Sequence, residues 1–301
     1  MPKQQDSQQI VPRRSFLFAP GTAPHMFPKA IAAKPDIMCV DLEDAIAPQH
    51  KVESRQQTFA WFNEFLADDA GLGSTGTEVE LLVRINSLRS ADGMADVLML
   101  LEQENPPPGL MLPKVKSPDE IKLLDDLLTD EGKDTRFQVI IETNEALEAC
   151  FEIARASDRI VSLLFGGVDM AAELRVEPTW EPLLYARKRL VHAAASAQID
   201  LIDVPFLDLN DMEGLDEEAR RCAEIGMTGK GAIHPKQLPV ITKHFTPSAE
   251  AVAHAKRVLQ AFEEAGTGLV VLDGKLIEKP VLRNMQRLLA IAERMGEGDG
   301  A

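Results

Sequence analysis

Eight short apolar runs recur along the chain, and segments with helical periodicity lie between most of them. The runs are nearly continuous rather than alternating, which is typical of parallel strands covered on both faces. Eight such strands with intervening helices match the count of a (β/α)8 barrel. A doubly wound open sheet is the alternative, but no GxGxxG turn follows the first run. The pattern therefore predicts an α/β chain that folds as a (β/α)8 TIM barrel with a C-terminal helical extension.

The predicted elements divide the chain into a flexible N-terminus (1–12), the barrel (13–245) and the helical extension (246–301). The predicted strands are Ser15–Ala19, Ile37–Leu42, Val79–Ile85, Gly109–Leu112, Phe137–Glu142, Ile160–Phe165, Asp200–Val204 and Thr228–Ile233. The predicted helices are Val52–Leu66, Asp92–Gln103, Pro118–Leu128, Ala146–Ala156, Glu181–Ala195 and Glu213–Ile225, and Asp69–Thr77 is a predicted surface loop. The extension is predicted to contain a helix from Thr246-Pro247 to about Glu264, a glycine-spaced segment Gly266–Gly274 and an amphipathic helix Val281–Met295. We expect this extension to be a bottom cap, an oligomer contact or a lid.

The charge balance excludes two classes of partner. The chain has 32 basic and 48 acidic residues, a net charge of −16. A nucleic-acid-binding protein normally presents a basic stripe, and no run of Lys and Arg supplies one. An anionic ligand must be held by a few placed cations or by a metal, against an unfavourable overall field. We therefore expect neither nucleic acid nor a membrane surface as a partner.

The N-terminus and the cysteines favour a cytoplasmic location. The residues MPKQQDSQQIVP are polar and lack the apolar core of a signal peptide. The longest apolar stretch, Ile160–Val168, is too short to span a bilayer. Cys39, Cys150 and Cys222 lie far apart and form no CxxC pair, so neither a disulfide framework nor a zinc site is predicted.

Charged side chains cluster at the ends of the predicted strands, where the catalytic groups of a barrel lie. The carboxylates there are Asp41, Glu43, Asp44, Glu142, Asp169 and Asp203, and the cations are Arg84 and Lys114. Carboxylates crowded at one rim repel one another unless they are protonated, paired or bridged by a metal. We expect Lys114 to pair with this acidic cluster, and His234 to stabilise its loop rather than act as a base.

Glu142 and Asp169 follow adjacent predicted strands, so their carboxylates can converge on one cation. Oxygen ligands without His or Cys favour Mg²⁺, or alternatively Mn²⁺, over zinc. Two protein ligands leave room for waters and for a chelating substrate. The alternative is that either carboxylate caps the following helix or pairs with a lysine.

Arg84 ends a predicted buried strand, where an always-charged group needs a partner. Its planar fork suits bidentate binding of a substrate carboxylate or an α-keto acid. A salt bridge to Asp41 or Glu43 explains the residue equally well. Asp41, Glu43 and Asp44 could then orient Arg84 and the waters of a metal, and we count Asp41 and Glu43 with Arg84 as catalytic candidates.

Seven motifs in series resemble those of a known family. They are RRSFLFAPG (13–21), VDLEDAIAP (40–48), VRIN (83–86), LPKV (112–115), IIET (140–143), GGVDMA (166–171) and GKGAIHPKQ (229–237). Over residues 13–295 the chain resembles the HpcH/HpaI aldolase and citrate lyase β-subunit superfamily, and within it the CitE-like and malyl-CoA lyase branch. The resemblance implies a Mg²⁺-dependent lyase that cleaves a short 3-hydroxyacyl-CoA, such as citramalyl-CoA or malyl-CoA. The implied products are acetyl-CoA and a 2-keto acid, pyruvate or glyoxylate, so coenzyme A is part of the substrate.

The family's functional residues have counterparts at matching positions of this chain. By resemblance, Glu142 and Asp169 bind the metal and, with Arg84 and Val168, the substrate. The counterparts of the coenzyme A contacts are Phe18, Lys29, Ile233 and His234. The resemblance also implies a homo-oligomer, a trimer or a hexamer.

Two positions depart from the family pattern. An arginine that contacts the cofactor in malyl-CoA lyases is Ala23 here. A carboxylate in a GKxxD pattern, which reaches the active site of a neighbouring subunit in those enzymes, is Glu278 in DGKLIEKP (273–280). Glu278 keeps the charge and a base role, so we count it as catalytic. Branch members that hydrolyse malyl-CoA also carry Glu there, so a thioesterase remains an alternative.

Two further alternatives concern the kind of protein. One is a citrate lyase β subunit that acts on a carrier-protein thioester. The other is an inert scaffold subunit, which the intact set of Glu142, Asp169 and Arg84 argues against.

Overall fold

Eight parallel strands pair in chain order, and the first also pairs with the eighth, so the sheet closes into a barrel. The strands are β1 (Ser15–Pro20), β2 (Ile37–Asp41), β3 (Glu80–Arg84), β4 (Gly109–Leu112), β5 (Arg136–Ile141), β6 (Ile160–Phe165), β7 (Asp200–Asp203) and β8 (Gly229–Ala232). This computed structural model describes residues 11–67, 79–265, 269–272 and 274–298. The predicted (β/α)8 barrel is confirmed, and each predicted strand agrees to within one residue at either end. The predicted loop Asp69–Thr77 and most of the predicted flexible N-terminus lie outside the described residues.

Helices follow the strands along the described chain. They are α1 (Phe27–Ala32), α2 (Lys51–Ala67), α3 (Ala91–Leu101), α4 (Pro118–Asp130), α5 (Asn144–Glu148), α6 (Cys150–Ile153), α7 (Gly167–Leu174), α8 (Trp180–Ala197), α9 (Met212–Ile225) and α10 (Leu238–Phe245). The single helix predicted over Ala146–Ala156 is wrong, because the chain breaks at Ala149 into α5 and α6. Arg189 donates from Nε to the Leu147 carbonyl at 3.0 Å and from Nη2 to the Glu148 carbonyl at 3.2 Å. These side-chain bonds satisfy carbonyls at the helix break.

An apolar layer fills the barrel interior, and its residues identify the inward-facing positions of each strand. Strands β1 to β7 contribute Phe16, Ile37, Cys39, Leu82, Met111, Ile140, Leu164 and Ile202 to this layer. Successive side chains of a strand point to opposite faces, so residues two positions further along face the same way. Asp41, Arg84 and Glu142 therefore follow Cys39, Leu82 and Ile140 on the inner face, at the carboxyl end of the strands.

Asp203 departs from the predicted rim cluster, because it follows the inward-facing Ile202 and points to the helical layer instead. Lys230 Nζ donates to Asp203 Oδ2 at 2.6 Å and to Glu218 Oε1 at 2.7 Å. Arg187 Nε donates to Asp203 Oδ1 at 2.9 Å. Burial alone would raise the pKa of Asp203, but the two cations outweigh it and lower the pKa to about 2. This network joins β7 and β8 to α8 and α9.

A second compact unit begins at Lys243, after the barrel unit Arg13–Thr242. It contains α11 (Ala249–Ala265), a hairpin of β9 (Leu269–Leu272) and β10 (Lys275–Glu278), and α12 (Lys279–Gly298). The first helix begins later than predicted, because the Ser248 hydroxyl accepts from the Ala251 amide at 3.1 Å and caps it. The glycine-spaced segment was predicted without strands, yet four residue pairs connect β9 and β10, including Leu269 with Glu278.

No helix among the described residues is long and apolar enough to cross a membrane. Cys39, Cys150 and Cys222 are all buried and unbonded to one another.

We predict that Asp203→Asn lowers the free energy of unfolding by about 3–5 kcal/mol, because it leaves two buried cations without their carboxylate. The matched control is Glu217→Gln on α9, whose partner Arg220 is exposed. Exposed ion pairs contribute little, so this control should unfold like the wild type. Urea unfolding monitored by circular dichroism measures both changes.

The difference in unfolding free energy between the wild type and Asp203→Asn should depend on pH. The folded-state pKa of Asp203, about 2, lies below its ordinary value of 3.8. The stabilisation is therefore complete above about pH 4 and is lost as the pH falls towards 2. A stability difference that stays constant across that range would contradict this assignment.

Candidate active site

Asp41 and Arg84 are register partners at the ends of β2 and β3, so their side chains emerge side by side. Arg84 Nε donates to Asp41 Oδ1 at 2.7 Å, and Arg84 Nη2 donates to Asp41 Oδ2 at 2.6 Å. The same carboxylate accepts from the amides of Glu43 at 2.8 Å and Ala45 at 3.1 Å. The predicted salt bridge of Arg84 is therefore present, and it fixes the plane of the guanidinium.

Glu43 is a second buried carboxylate beside this pair. Its Oε2 lies 3.2 Å from Arg84 Nη1, and its Oε1 lies 2.9 Å from Lys114 Nζ. Among the described residues, Oε2 has no partner in hydrogen-bond geometry. Burial raises the pKa of Glu43, and the two cations offset only part of that rise. A buried carboxylate with an unused acceptor and a raised pKa is suited to take a proton from a bound molecule.

Lys114 follows β4 and lies among several of the predicted carboxylates. Its Nζ is 2.9 Å from Glu43 Oε1, 3.5 Å from Asp44 Oδ2 and 3.7 Å from Asp169 Oδ1. Partial burial would lower the pKa of Lys114, but the surrounding carboxylates, Glu43 first, outweigh it and raise the pKa. The residue has φ of 53°, in the left-handed region that lysine seldom adopts. The predicted pairing of Lys114 with the acidic cluster is confirmed, and it comes with local backbone strain.

Glu142 follows β5 and is almost completely buried. Its Oε1 accepts from the Lys114 amide at 2.6 Å. A Cβ at Gly166 would lie 2.3 Å from Glu142 Cβ and 2.8 Å from its Oε2, so only glycine leaves room for this carboxylate. Burial raises the pKa of Glu142 to about 7, and Lys114 offsets only part of the rise. A cation bound here would favour the ionised carboxylate.

Asp169 lies in the first turn of α7, with its side chain 47% exposed. Glu142 and Asp169 are thus both close to Lys114, one through the backbone amide and one through the ammonium. Among the described residues, no three His, Cys, Asp or Glu side chains form a group that could hold a metal. The donors of Glu142 and Asp169 are carboxylate oxygens alone, and Gly166 leaves room for the Glu142 carboxylate. These features fit a hard cation that completes its shell with waters and substrate oxygens.

The residues predicted to contact coenzyme A or substrate lie on several elements. The Phe18 ring is 5.1 Å from the guanidinium carbon of Arg84, so it contacts the charged cluster directly. Lys29 is exposed on α1, and Val168 is 44% exposed beside Asp169. Their roles as substrate contacts stay predictions.

Ile233 and His234 follow β8 and are exposed. His234 Nδ1 accepts from the Lys236 amide at 3.1 Å, which confirms the predicted loop-stabilising contact. The amides of both residues donate to Gln237 Oε1, at 2.9 Å from Ile233 and 3.2 Å from His234. Gln237 Nε2 donates in turn to the Phe206 carbonyl at 2.8 Å, so this side chain joins the loops after β7 and β8.

Sequence reasoning missed the polar residues that support the mouth from outside, Lys51, Asn86 and Asp96. Asp96 carried a usable signal, because it is a charged residue on the buried face of an amphipathic helix and must have a partner there. No sequence signal identified Lys51, since its hydrogen-bond partners lie on two other loops.

Residues 14–235 match the family described as HpcH/HpaI aldolase/citrate lyase. The matched segment includes Arg84, Glu142 and Asp169. The chain belongs to this family. Its membership agrees with the resemblance seen in the seven motifs.

Individual relatives extend over nearly the whole chain. The L-malyl-CoA/beta-methylmalyl-CoA lyase of Cereibacter sphaeroides is 32% identical over 94% of this chain and 95% of that protein. The mitochondrial citramalyl-CoA lyase of Rattus norvegicus is 30% identical over 97% of this chain and 89% of that protein. The CitE protein of Mycobacterium tuberculosis, solved in complex with magnesium, acetoacetate and coenzyme A, is 29% identical with a TM-score of 0.73, over 94% of this chain and 99% of that one.

We predict that Asp41→Asn lowers the stability by about 3 kcal/mol, because it breaks a buried ion pair, and lowers turnover about 100-fold by misplacing Arg84. The matched control is Asp36→Asn at the start of β2. Arg14 Nε and Nη2 donate to Asp36 at 2.8 and 2.7 Å in the same bidentate manner.

Both variants should unfold at lower urea concentration than the wild type, but only Asp41→Asn should lose activity towards the thioesters proposed below. Equal losses of activity would mean that Asp41 acts through general stability and not through Arg84.

Proposed function

We propose that this protein is a Mg²⁺-dependent carbon–carbon lyase that cleaves citramalyl-CoA or malyl-CoA to acetyl-CoA and pyruvate or glyoxylate. The observation that carries the proposal is the placement of a fixed arginine and two potential metal-ligating carboxylates at one barrel mouth. Family membership and the two relatives named as CoA-ester lyases support the same reaction class.

Glu142 and Asp169 would hold the magnesium. When bound, Mg²⁺ supplies Lewis-acid stabilisation of the negative charge that develops on substrate oxygens. Glu142 is preorganised for this role, since the Lys114 amide donates to its carboxylate and Gly166 packs closely against it.

Arg84 binds the carboxylate of the keto-acid portion. Asp41 uses the Nε hydrogen and one Nη2 hydrogen, and Glu43 Oε2 lies 3.2 Å from Nη1 without hydrogen-bond geometry, so the Nη1 and Nη2 edge keeps N–H donors for a substrate carboxylate. One guanidinium can therefore be held by the protein and bind the substrate at the same time. Val168 would lie along the substrate beside Asp169.

Cleavage requires a base for the substrate hydroxyl and an acid for the released carbon. We assign the base to Glu43, whose unused Oε2 can take the hydroxyl proton. The O–H electron pair forms the carbonyl of the keto acid, and the electrons of the broken C–C bond pass to the thioester α-carbon. That carbon takes a proton, assigned to Glu278, and becomes the methyl group of acetyl-CoA.

Coenzyme A would contact Phe18, Lys29, Ile233 and His234, with no arginine at Ala23. We also propose a homo-oligomer, a trimer or hexamer, in which Glu278 acts on a neighbouring subunit. A cytoplasmic location is supported by the three free, buried cysteines, which suit a reducing compartment.

We predict that the purified protein forms keto acid from citramalyl-CoA or malyl-CoA only when Mg²⁺ is present. Keto acid is followed as its hydrazone, and free thiol in parallel aliquots. Glu142→Gln and Asp169→Asn should lower turnover at least about 100-fold while unfolding cooperatively, because each removes a charged ligand. The control Glu145→Gln alters an exposed carboxylate paired with Lys116 and should keep wild-type turnover.

Thiol release without keto acid would replace the proposed lyase by a thioesterase. Wild-type turnover of either ligand variant would refute the metal assignment.

A separate prediction concerns Glu278. If it acts in a neighbouring subunit, mixed oligomers of Glu278→Ala and Glu142→Ala subunits should recover part of the activity that each variant lacks, since some sites then combine two intact contributions. Subunits are mixed by co-expression with two affinity tags, and only doubly tagged oligomers are assayed. Absence of recovery in such oligomers would place Glu278 in its own subunit's site or outside the reaction.

A further inference from the structure

Lys51, the first residue of α2, ends in an ammonium with three neutral oxygen acceptors. Nζ donates to the Leu42 carbonyl at 2.8 Å, to the Glu43 carbonyl at 2.6 Å and to Asn86 Oδ1 at 2.7 Å. An ammonium has three N–H donors, so these contacts use all of them. Two of the acceptors belong to the backbone of the loop that carries Glu43, and the third belongs to Asn86, two residues after Arg84 and the end of β3.

Asn86 is itself held in one orientation. Its Nδ2 and its backbone amide both donate to Asp96 Oδ2, each at 2.7 Å. The amide nitrogen is therefore committed to Asp96, and the amide oxygen must face Lys51. Asp96 is fully buried on α3, and its other oxygen accepts from Arg55 of α2.

These contacts form one chain of hydrogen bonds, from Arg55 through Asp96 and Asn86 to Lys51. It starts and ends on α2 and passes through α3 and the end of β3. At its end, Lys51 holds both carbonyls of the Leu42-Glu43 segment. That segment is also bound to β3 directly, since the Leu42 amide donates to the Arg84 carbonyl at 2.9 Å.

We infer that Lys51 is a positioning residue, which fixes the Glu43 loop relative to Arg84 through three hydrogen bonds to neutral oxygens. The inference rests on the proposed function, because the groups it positions are the proposed base and keto-acid ligand. Lys51 does not touch the substrate, and its contribution is to hold Glu43 Oε2 and the Arg84 edge at a constant separation. Misplacement of reacting groups by about 1 Å can cost a factor of about 100 in rate.

The test uses Lys51→Met, which keeps most of the aliphatic length and removes every donor. Its matched control is Lys133→Met, because Lys133 Nζ also donates to a backbone carbonyl, that of Gln103, at 2.7 Å, before β5 at the opposite end of the barrel. Steady-state turnover and amide hydrogen exchange of residues 42–50 are measured for both variants and the wild type.

We expect Lys51→Met to lower kcat at least about tenfold while KM for the CoA thioester changes less than about twofold, since the proposed coenzyme A contacts lie elsewhere. Exchange of residues 42–50 should accelerate about tenfold in Lys51→Met alone. Lys133→Met should match the wild type in kcat and in the exchange of this loop.

Unchanged loop exchange in Lys51→Met would overturn the inference, and so would a kcat that falls no further than in the control. If the wild type cleaves neither thioester, the proposed function fails, and the exchange measurement alone decides whether Lys51 holds the loop. The two failures are therefore distinguishable.

Discussion

The mouth of this barrel gathers more buried negative charge than its own cations balance. Asp41 is compensated by Arg84, and Glu43 is shared between Arg84 and Lys114. Among the described residues, Glu142 accepts a hydrogen bond from the Lys114 amide, which meets part of the cost of its burial, and its pKa is raised. A site with this imbalance favours a bound divalent cation, because the cation supplies the missing charge without adding a side chain. Under the proposed function, this imbalance lets a chain with a net charge of −16 bind anionic substrates through a local arginine and metal rather than through an overall field.

Two polar networks in this fold differ in position: one lies between the barrel strands and the helices, and the other lies at the barrel mouth. The outer network pairs two carboxylates, Asp203 and Glu218, with two buried cations, Lys230 and Arg187, although Arg187 Nη1 has no hydrogen-bond partner among the described residues. It fixes α8 and α9 to β7 and β8. The mouth retains unused capacity, in Glu43 Oε2 and in one edge of Arg84. An unpaired polar atom occurs in both networks, so the position of Glu43 at the strand ends, beside Arg84 and Lys114, is what associates its unpaired oxygen with chemistry.

Sequence alone predicted the barrel because buried parallel strands are continuous apolar runs, and strand ends then locate Arg84, Glu142 and Asp169 within a few residues. The position of Asp203 at a strand end does not indicate which face of the sheet its side chain is on, and in the structure it faces the helices. The supports of the site were beyond reach for another reason. Lys51 and Asn86 are separated by 35 residues, and Arg55 and Asp96 by 41, so no local pattern signals their contact. The hairpin of β9 and β10 was missed because its strands are short and follow glycines, a combination that also suits an irregular loop.

The observed salt bridge of Arg84 is compatible with its proposed contact to the substrate. A salt bridge and a substrate contact compete only if each needs the whole guanidinium. Asp41 is the register partner of Arg84 and accepts from the Nε side of its guanidinium. The Asp41 carboxylate and a substrate carboxylate therefore need not share one edge of the guanidinium. The ion pair also restricts the rotation of the arginine before any ligand arrives, which reduces the entropy lost on binding. In this arrangement the Asp41 carboxylate orients the Arg84 guanidinium and does not block the proposed substrate.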